Sequence, residues 1–310
     1  MSNLTSEPNK FLIVIAGPTG VGKTDLAIRL AQWYGAHIFS ADSRQIYKEM
    51  NIGTAKPGSD ILAAIPHYFI NHVSIFETYS AGHFETDAKK LLASYFESNH
   101  IGILVGGTGL YIKALLHGLD DFPEIESKTI HDLETQYEEY GITWLQEQLL
   151  ELDPSYYHTV DLNNSRRIIR ALSIIKQSNK TYTSYLEAKS KTSLPYEIIE
   201  IGLEMPRDIL YDRINKRVDE MFSLGLMEEA RLLYPHREQR PLETVGYQEL
   251  FRFFDHEISE SQAVELIKQN SRRYAKRQIS WFKKYGQWVY FSPNNFENVL
   301  DFVKGRIRIS

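Results

Sequence analysis

Gly17-Pro18-Thr19-Gly20-Val21-Gly22-Lys23-Thr24 constrains this chain more than any other stretch. It matches G-x-x-x-x-G-K-[ST], and its flanks supply the context that gives such a match meaning. Before it runs Phe11-Leu12-Ile13-Val14-Ile15-Ala16, short, apolar and β-branched, which predicts a buried strand. After it comes Asp25 to Tyr34, with Leu26, Leu30 and Trp33 at helical spacing. Strand, glycine loop and helix together predict a phosphate-binding loop. The glycines let the backbone curl until successive N–H groups point at one oxyanion. The helix N-terminus adds partial positive charge, Lys23 a full one, and the Thr24 hydroxyl is placed to ligate Mg²⁺. A polyphosphate ligand follows; which one does not.

Composition narrows the classes. The 310 residues include no cysteine, which excludes disulfides and thiolate metal sites. The histidines form no H-E-x-x-H or comparable spacing, and His67 and His72 read as loop or cap residues. Met1 to Lys10 is polar, without the apolar core of a secretory signal, and no apolar run approaches membrane-spanning length. A cytoplasmic protein with no membrane contact is expected. The net charge of −5 argues against a dedicated nucleic-acid binder unless basic residues cluster. They do cluster: Lys268, Arg272, Arg273, Lys276, Arg277, Lys283 and Lys284 follow one another with no acidic residue between them. Ile267, Tyr274 and Trp281, seven apart, predict the packed stripe of this helix. Its basic face reads equally as solvated surface or as a nucleic-acid contact.

Taken in order, the chain alternates strands and helices at first. Gly35 to Ser40 reads as a helix stop and a second strand, with Asp42-Ser43-Arg44-Gln45 starting at its C-terminal end, where open α/β sheets bind ligands. Pro66 to Ile70 suggests a short edge strand and Ala81 to Asn99 a helix. Ile101 to Val105 reads as a buried strand running into Gly106-Gly107-Thr108-Gly109 and a further helix over Tyr111 to Leu116. This predicts a parallel, doubly wound sheet. From Glu124 to about Ser193 only helices are evident, broken at Gly141 and at Asp153-Pro154, with Asn164 capping Arg166 to Leu172. Strand character returns over Glu197 to Leu203, and Pro206 is expected at the first position of the next helix. Trp288 to Phe291 reads as a last strand and Phe296 to Val303 as a last helix. The expected organisation is an α/β, P-loop NTPase-like parallel core with an all-helical insertion: residues 1–120 and 196–310 form the core and 121–195 the insertion, with the basic helix at 263–285.

Several of these stretches jointly resemble the bacterial tRNA dimethylallyltransferase family. They are Gly17 to Thr24, Asp42 to Tyr47, Gly53-Thr54-Ala55-Lys56-Pro57, Gly106 to Tyr111, Arg167 to Leu172, Val245-Gly246-Tyr247 and Ala275-Lys276-Arg277-Gln278. The match runs in order from about residue 11 to 291. Departures are few: Asn164 stands where many relatives have Asp, Ser173 replaces a frequent Glu, and Glu124 to Ile130 do not reproduce the family's basic contact. Lacking cysteine, the chain also lacks the zinc finger of eukaryotic relatives. The resemblance implies transfer of a dimethylallyl group from dimethylallyl diphosphate to the exocyclic amine of the adenosine 3′ of the anticodon. It implies Mg²⁺ as cofactor, an insertion that grips the tRNA anticodon stem-loop, and a monomer.

On that footing Gly17, Pro18, Thr19, Gly20, Val21, Gly22, Lys23 and Thr24 hold the diphosphate, with Arg217 joining Thr19 at it by resemblance. Asp42 is the candidate base for the amine proton, which becomes acidic as the C–N bond forms. It reads alternatively as a partner of magnesium-bound water or as a helix cap. Ser43, Arg44 and Gln45 can meet the adenosine, and Thr108, a plain cap on local grounds, becomes a tRNA contact by resemblance. Arg166, Arg167, Arg170, Arg273 and Arg277 fit phosphate contacts, and Gly246-Tyr247 lies near the nucleotide. Three other readings stand beside this one: a small-molecule or nucleoside kinase, transfer to free AMP, and a non-catalytic RNA-binding regulator.

Overall fold

β1 (Phe11–Ala16) is buried along its whole length, and its alternate side chains serve two different cores. Leu12 and Val14 face one side, Ile13 and Ile15 the other, as the two-residue period of a strand requires. Such a strand belongs at the centre of a parallel sheet covered on both faces. In the computed structural model, which describes residues 9–120, 122–187 and 194–309, it does. The polar N-terminal segment up to Pro8 and the end of the expected insertion, 188–193, lie outside the described residues.

The other strands are β2 (Ile38–Ser40), β3 (His67–Tyr68), β4 (Ile101–Gly106), β5 (Glu197–Leu203) and β6 (Val289–Phe291). All pair in parallel, in the order β3-β2-β4-β1-β5-β6. The helices are α1 (Lys23–Tyr34), α2 (Ser59–Ala64), α3 (Ala81–Ser98), α4 (Gly109–His117), α5 (Ser127–Leu152), α6 (Pro154–Tyr157) and α7 (Ser165–Ser178). After them come α8 (Tyr182–Glu187), α9 (Arg207–Ser223), α10 (Leu226–Leu233), α11 (Tyr247–Phe254), α12 (Glu260–Lys284) and α13 (Phe296–Ile309). α1, α9 and α13 pack one face of the sheet through Leu30, Ile214 and Val303; α3, α4 and α12 supply Phe84, Leu115 and Ile267 to the other. Each such buried side chain contributes roughly 1.5–3 kcal/mol relative to exposure.

The order matters for chemistry. β2, β4 and β1 are neighbours, so the segments that leave their C-terminal ends converge: Asp42 to Gln45 after β2, Gly107-Thr108 after β4, the glycine loop after β1. Ala41 closes the gap, donating to Val105 (2.8 Å) and accepting from the Thr108 amide (3.2 Å).

The contacts divide the chain into two compact units, Met1–Leu116 with Ser193–Ser310, and His117–Thr192. The second unit has its own core, in which Leu133, Leu145 and Leu149 of α5 meet Ile168, Leu172 and Ile175 of α7. At Gly141 the backbone leaves helical geometry (φ 76°, ψ −174°) and α5 kinks. Asp153 is buried and caps two helices at once, accepting from Tyr156 N (3.0 Å), Thr183 N (2.8 Å) and Thr183 Oγ1 (2.8 Å). Asn164 caps α7 through the Arg167 amide at 3.2 Å.

Two local expectations are corrected. Pro206 is the N-cap of α9, not its first helical residue, because its ψ of 140° is extended. The buried stripe of α12 is Ala263, Ile267, Ala275, Gln278 and Phe282. A straight helix drifts about 20° per seven residues, so the seven-residue stripe through Tyr274 and Trp281 slides to the edge of the packed face.

Candidate active site

The glycine loop reaches α1 through Gly22, whose φ of 101° lies in the left-handed region that glycine enters without strain. Lys23 turns back over the loop and donates to the Pro18 carbonyl at 2.7 Å. Burial pushes its ammonium down to about 7, with Asp42 pulling it up and Arg217 pushing it further down. An ammonium so placed is short of negative charge. Arg217, from α9, donates to Thr19 Oγ1 at 3.2 Å and to the Ala55 carbonyl at 3.5 Å. Burial lowers its pKa too, and Asp42 opposes that shift. Two enclosed cations and a helix N-terminus thus face one small space, the arrangement that takes up a dense anion.

Asp42 turns one oxygen to the protein. Its Oδ1 accepts from the Arg44 amide (2.9 Å) and the Gln45 amide (3.3 Å), closing the turn after β2. Among the described residues Oδ2 has no hydrogen-bond donor, and Asp42 lines the cavities. Thr108 Oγ1 accepts from the Ser43 amide (2.9 Å) and donates to Ser43 Oγ (3.2 Å), so β2 and β4 are tied at this level. Gln45 is spent internally: its amide nitrogen donates to the Thr54 and Ala55 carbonyls, both at 3.2 Å. It shapes the wall instead of offering a free donor.

Two cavities meet here. One is lined by Thr19, Lys23, Thr24 and Arg217 at its charged end and by Ala27, Ile38, Ile70 and Val105 along an apolar side. The other, of about 350 Å³, is lined by Ser43, Arg44, Val245, Gly246 and Arg277. Thr19, Asp42, Thr54, Arg217 and Tyr274 border both.

Three residues that sequence reasoning leaves out of the site hold it together. Gln278 is buried in α12, accepts from the Thr19 amide at 2.8 Å and donates to the Gly107 carbonyl at 2.9 Å. A Cβ at residue 107 would stand 2.3 Å from the Gln278 Nε2, so only glycine admits that approach. In the sequence Gln278 is marked only as the end of the Ala275-Lys276-Arg277-Gln278 stretch; a buried amide needs partners, and these lie far away along the chain. Glu229 of α10 accepts from the amides of Asn51 (3.0 Å), Ile52 (2.8 Å) and Gly53 (2.9 Å) and fixes the loop that carries Thr54. Nothing local in sequence marks it. Tyr274, expected only to pack, borders both cavities.

A family model described as IPP transferase matches residues 45–285. The tRNA dimethylallyltransferase of Christiangramia forsetii is 48% identical over 301 residues, 96% of this chain and 99% of that protein. The chain belongs to the IPP transferase family. A second relative, tRNA dimethylallyltransferase 1 of Bacteroides fragilis, is 43% identical over 299 residues, 96% of this chain and 99% of that protein. The crystal structure of full-length tRNA isopentenylpyrophosphate transferase from Bacillus halodurans matches with a TM-score of 0.71 at 35% identity, over 96% of this chain and 97% of that one. A eukaryotic dimethylallyltransferase, solved acting on tRNA, matches with a TM-score of 0.78 at 26% identity, over 96% of this chain and 77% of that one.

The remaining candidates of this IPP transferase chain fall into three groups. Arg273 and Arg277 are exposed on α12 beside Lys276, whereas Lys268 and Arg272 are drawn to α9 by Asp219 (2.8 Å) and Asn215 (2.6 Å). Arg166, Arg167 and Arg170 are exposed on α7 of the second unit, opposite its buried Ile168 and Leu172. Gly246 lines the larger cavity, but Tyr247 does not: its ring is wholly buried and its hydroxyl donates to Glu229 at 2.7 Å. That corrects the expectation of a nucleotide contact, since a side chain with no exposed surface supports the site from behind. Among the described residues, no helix is long and apolar enough to cross a membrane.

Proposed function

We propose that this chain transfers the dimethylallyl group of dimethylallyl diphosphate to the N6 amine of the adenosine 3′-adjacent to the anticodon of a tRNA, releasing diphosphate. The observation that carries this reading is the meeting of two differently built cavities at Asp42, Thr19 and Arg217. One has a cationic end and an apolar side, suited to a diphosphate with a short hydrocarbon tail. The other is larger and edged by Arg44 and Arg277, suited to a nucleotide carried on a polyanion. A base stacked in an anticodon loop must be extruded to reach such a site, as base-modifying enzymes commonly require.

The residues divide the work by charge. As the C–O bond of the allyl diphosphate breaks, negative charge gathers on the leaving oxygens. Lys23, Arg217, the Thr19 hydroxyl and the loop amides stand ready to receive it without reorganising. The N6 lone pair forms the new C–N bond, and the nitrogen's proton becomes acidic as it does so. Asp42 Oδ2 is the unspent acceptor for that proton, while Oδ1 stays committed to the Arg44 and Gln45 amides. Ser43, Arg44 and Thr108 border or support the nucleotide side. Arg166, Arg167, Arg170, Arg273 and Arg277 contact tRNA phosphates.

Magnesium fits the donor set modestly. Among the described residues no three acidic or histidine side chains converge, so no all-protein metal cage exists. Mg²⁺ commonly takes one or two protein oxygens, substrate phosphates and water. Thr24, which borders the same cavity as Lys23, would hold it through its hydroxyl, and the ion would supply neutralising charge to the diphosphate.

Labelled dimethylallyl diphosphate incubated with tRNA, with AMP and with no acceptor tests the reading. Label in tRNA alone is expected. Label in AMP alone would transfer the activity to free nucleotides. Transfer of phosphate from γ-labelled ATP to a metabolite, with tRNA unlabelled, would replace it by a kinase.

A further inference from the structure

At the junction of the two cavities the bordering residues are Thr19, Asp42, Thr54, Arg217 and Tyr274. Four of them present hydroxyls or full charges. Tyr274 alone presents an aromatic ring. Resting on the allyl-transfer reading above, we propose that the Tyr274 ring is the surface against which the allylic cation develops, stabilising its charge with the π face and keeping water from it.

The chemistry asks for such a surface. As the C1–O bond breaks, its electron pair leaves with the diphosphate, and positive charge spreads over C1 and C3 of the five-carbon group. The N6 lone pair then forms the C–N bond, and the N6 proton passes to Asp42. Until nitrogen arrives, the cation needs a stabiliser that cannot itself capture it. Water would give the alcohol, and a carboxylate in line would give an ester. A neutral phenol ring attracts the charge through its quadrupole and offers no lone pair on its face.

The ring is held for this task. Its neighbours in α12, Ala275 and Gln278, are buried, and Gln278 ties the helix to both the glycine loop and Gly107. Burial first, and Asp42 second, push the Tyr274 hydroxyl up to about 12, so the ring stays neutral across the working range. The Arg277 guanidinium stands 5.7 Å from the ring centroid, near the outer limit of about 6 Å for this interaction.

The test replaces Tyr274 by phenylalanine and then by mono-, di- and trifluorophenylalanine, which keep the shape and drain the π face step by step. Single-turnover rates are read with both substrates saturating, beside binding of tRNA and of dimethylallyl diphosphate. The expected result is a Tyr274→Phe rate within about threefold of the parent and a stepwise fall of about tenfold across the fluorinated series, at unchanged affinities. Tyr274→Leu should also release more dimethylallyl alcohol per tRNA modified. A rate indifferent to fluorination overturns the proposal. So does a tRNA affinity that weakens with fluorination while the saturated rate holds, which would make the ring a stacking platform for the base. If Tyr274→Phe alone abolishes transfer, the hydroxyl matters and the proposal fails. An unmodified protein that leaves tRNA unlabelled would instead sink the transfer reading itself.

Discussion

Asp42 and Lys23 are close in space and opposite in what they contribute. In Asp42→Asn the amide oxygen can still accept from Arg44 and Gln45, so the turn after β2 persists. What is lost is proton acceptance at Oδ2. The single-turnover rate should fall about a hundredfold or more, with tRNA and diphosphate affinities nearly intact. Weaker magnesium-dependent diphosphate binding at an undiminished saturated rate would instead place Asp42 beside the metal. Lys23 carries a different signature, because burial holds its ammonium near 7. Dimethylallyl diphosphate selects the charged form. Above pH 7 binding must therefore draw a proton from solution, and affinity should weaken with rising pH by at most about tenfold per unit. Calorimetry at pH 8.5 in two buffers of different ionisation heat should find uptake of nearly one proton, and Lys23→Arg should abolish it. Proton-neutral binding by the parent protein would refute this account of Lys23.

The elements differ in how openly the sequence declares them. Strand β1, the glycine loop and α1 are legible because strand burial, the loop's glycines and the helical spacing all act within a few residues of one another. α2, six residues long, is too short for any periodicity to stand out. Asp42 could be named from its position after a strand, and Thr108 only from the family resemblance. Glu229, Gln278 and the place of Tyr274 could not, since each acquires its role from a partner far away along the chain. α12 combines both cases, for its charge run is obvious and its inner stripe is not. On the proposed reading, Arg273 and Arg277 each neutralise a phosphate. Removing both charges should lower the slope of log affinity for tRNA against log salt by roughly 1.4–1.8. Dimethylallyl diphosphate binding should not change. An unaltered slope would make this face solvated surface, like many basic helices.

At the scale of the whole molecule, two units with separate cores offer two kinds of cationic surface. The first encloses Lys23 and Arg217 behind a glycine loop; the second displays Arg166, Arg167 and Arg170 on the outside of α7. Replacing these three arginines by glutamine should weaken tRNA binding several-fold and flatten its salt dependence, because each lost phosphate contact releases fewer counterions. None lies in the buried core of α7, so the variant should still fold. Unchanged tRNA affinity would remove the second unit from recognition. The bond from the Thr19 amide to Gln278 has a consequence of another kind, for it joins residues 259 positions apart. A ribosome adding about 5–20 residues per second leaves the glycine loop waiting roughly 13–50 s for that partner. A nascent chain therefore displays the whole phosphate-loop motif long before it owns a finished site, and a message cut short anywhere between Thr24 and Gln278 yields a product that keeps the motif and lacks its clasp.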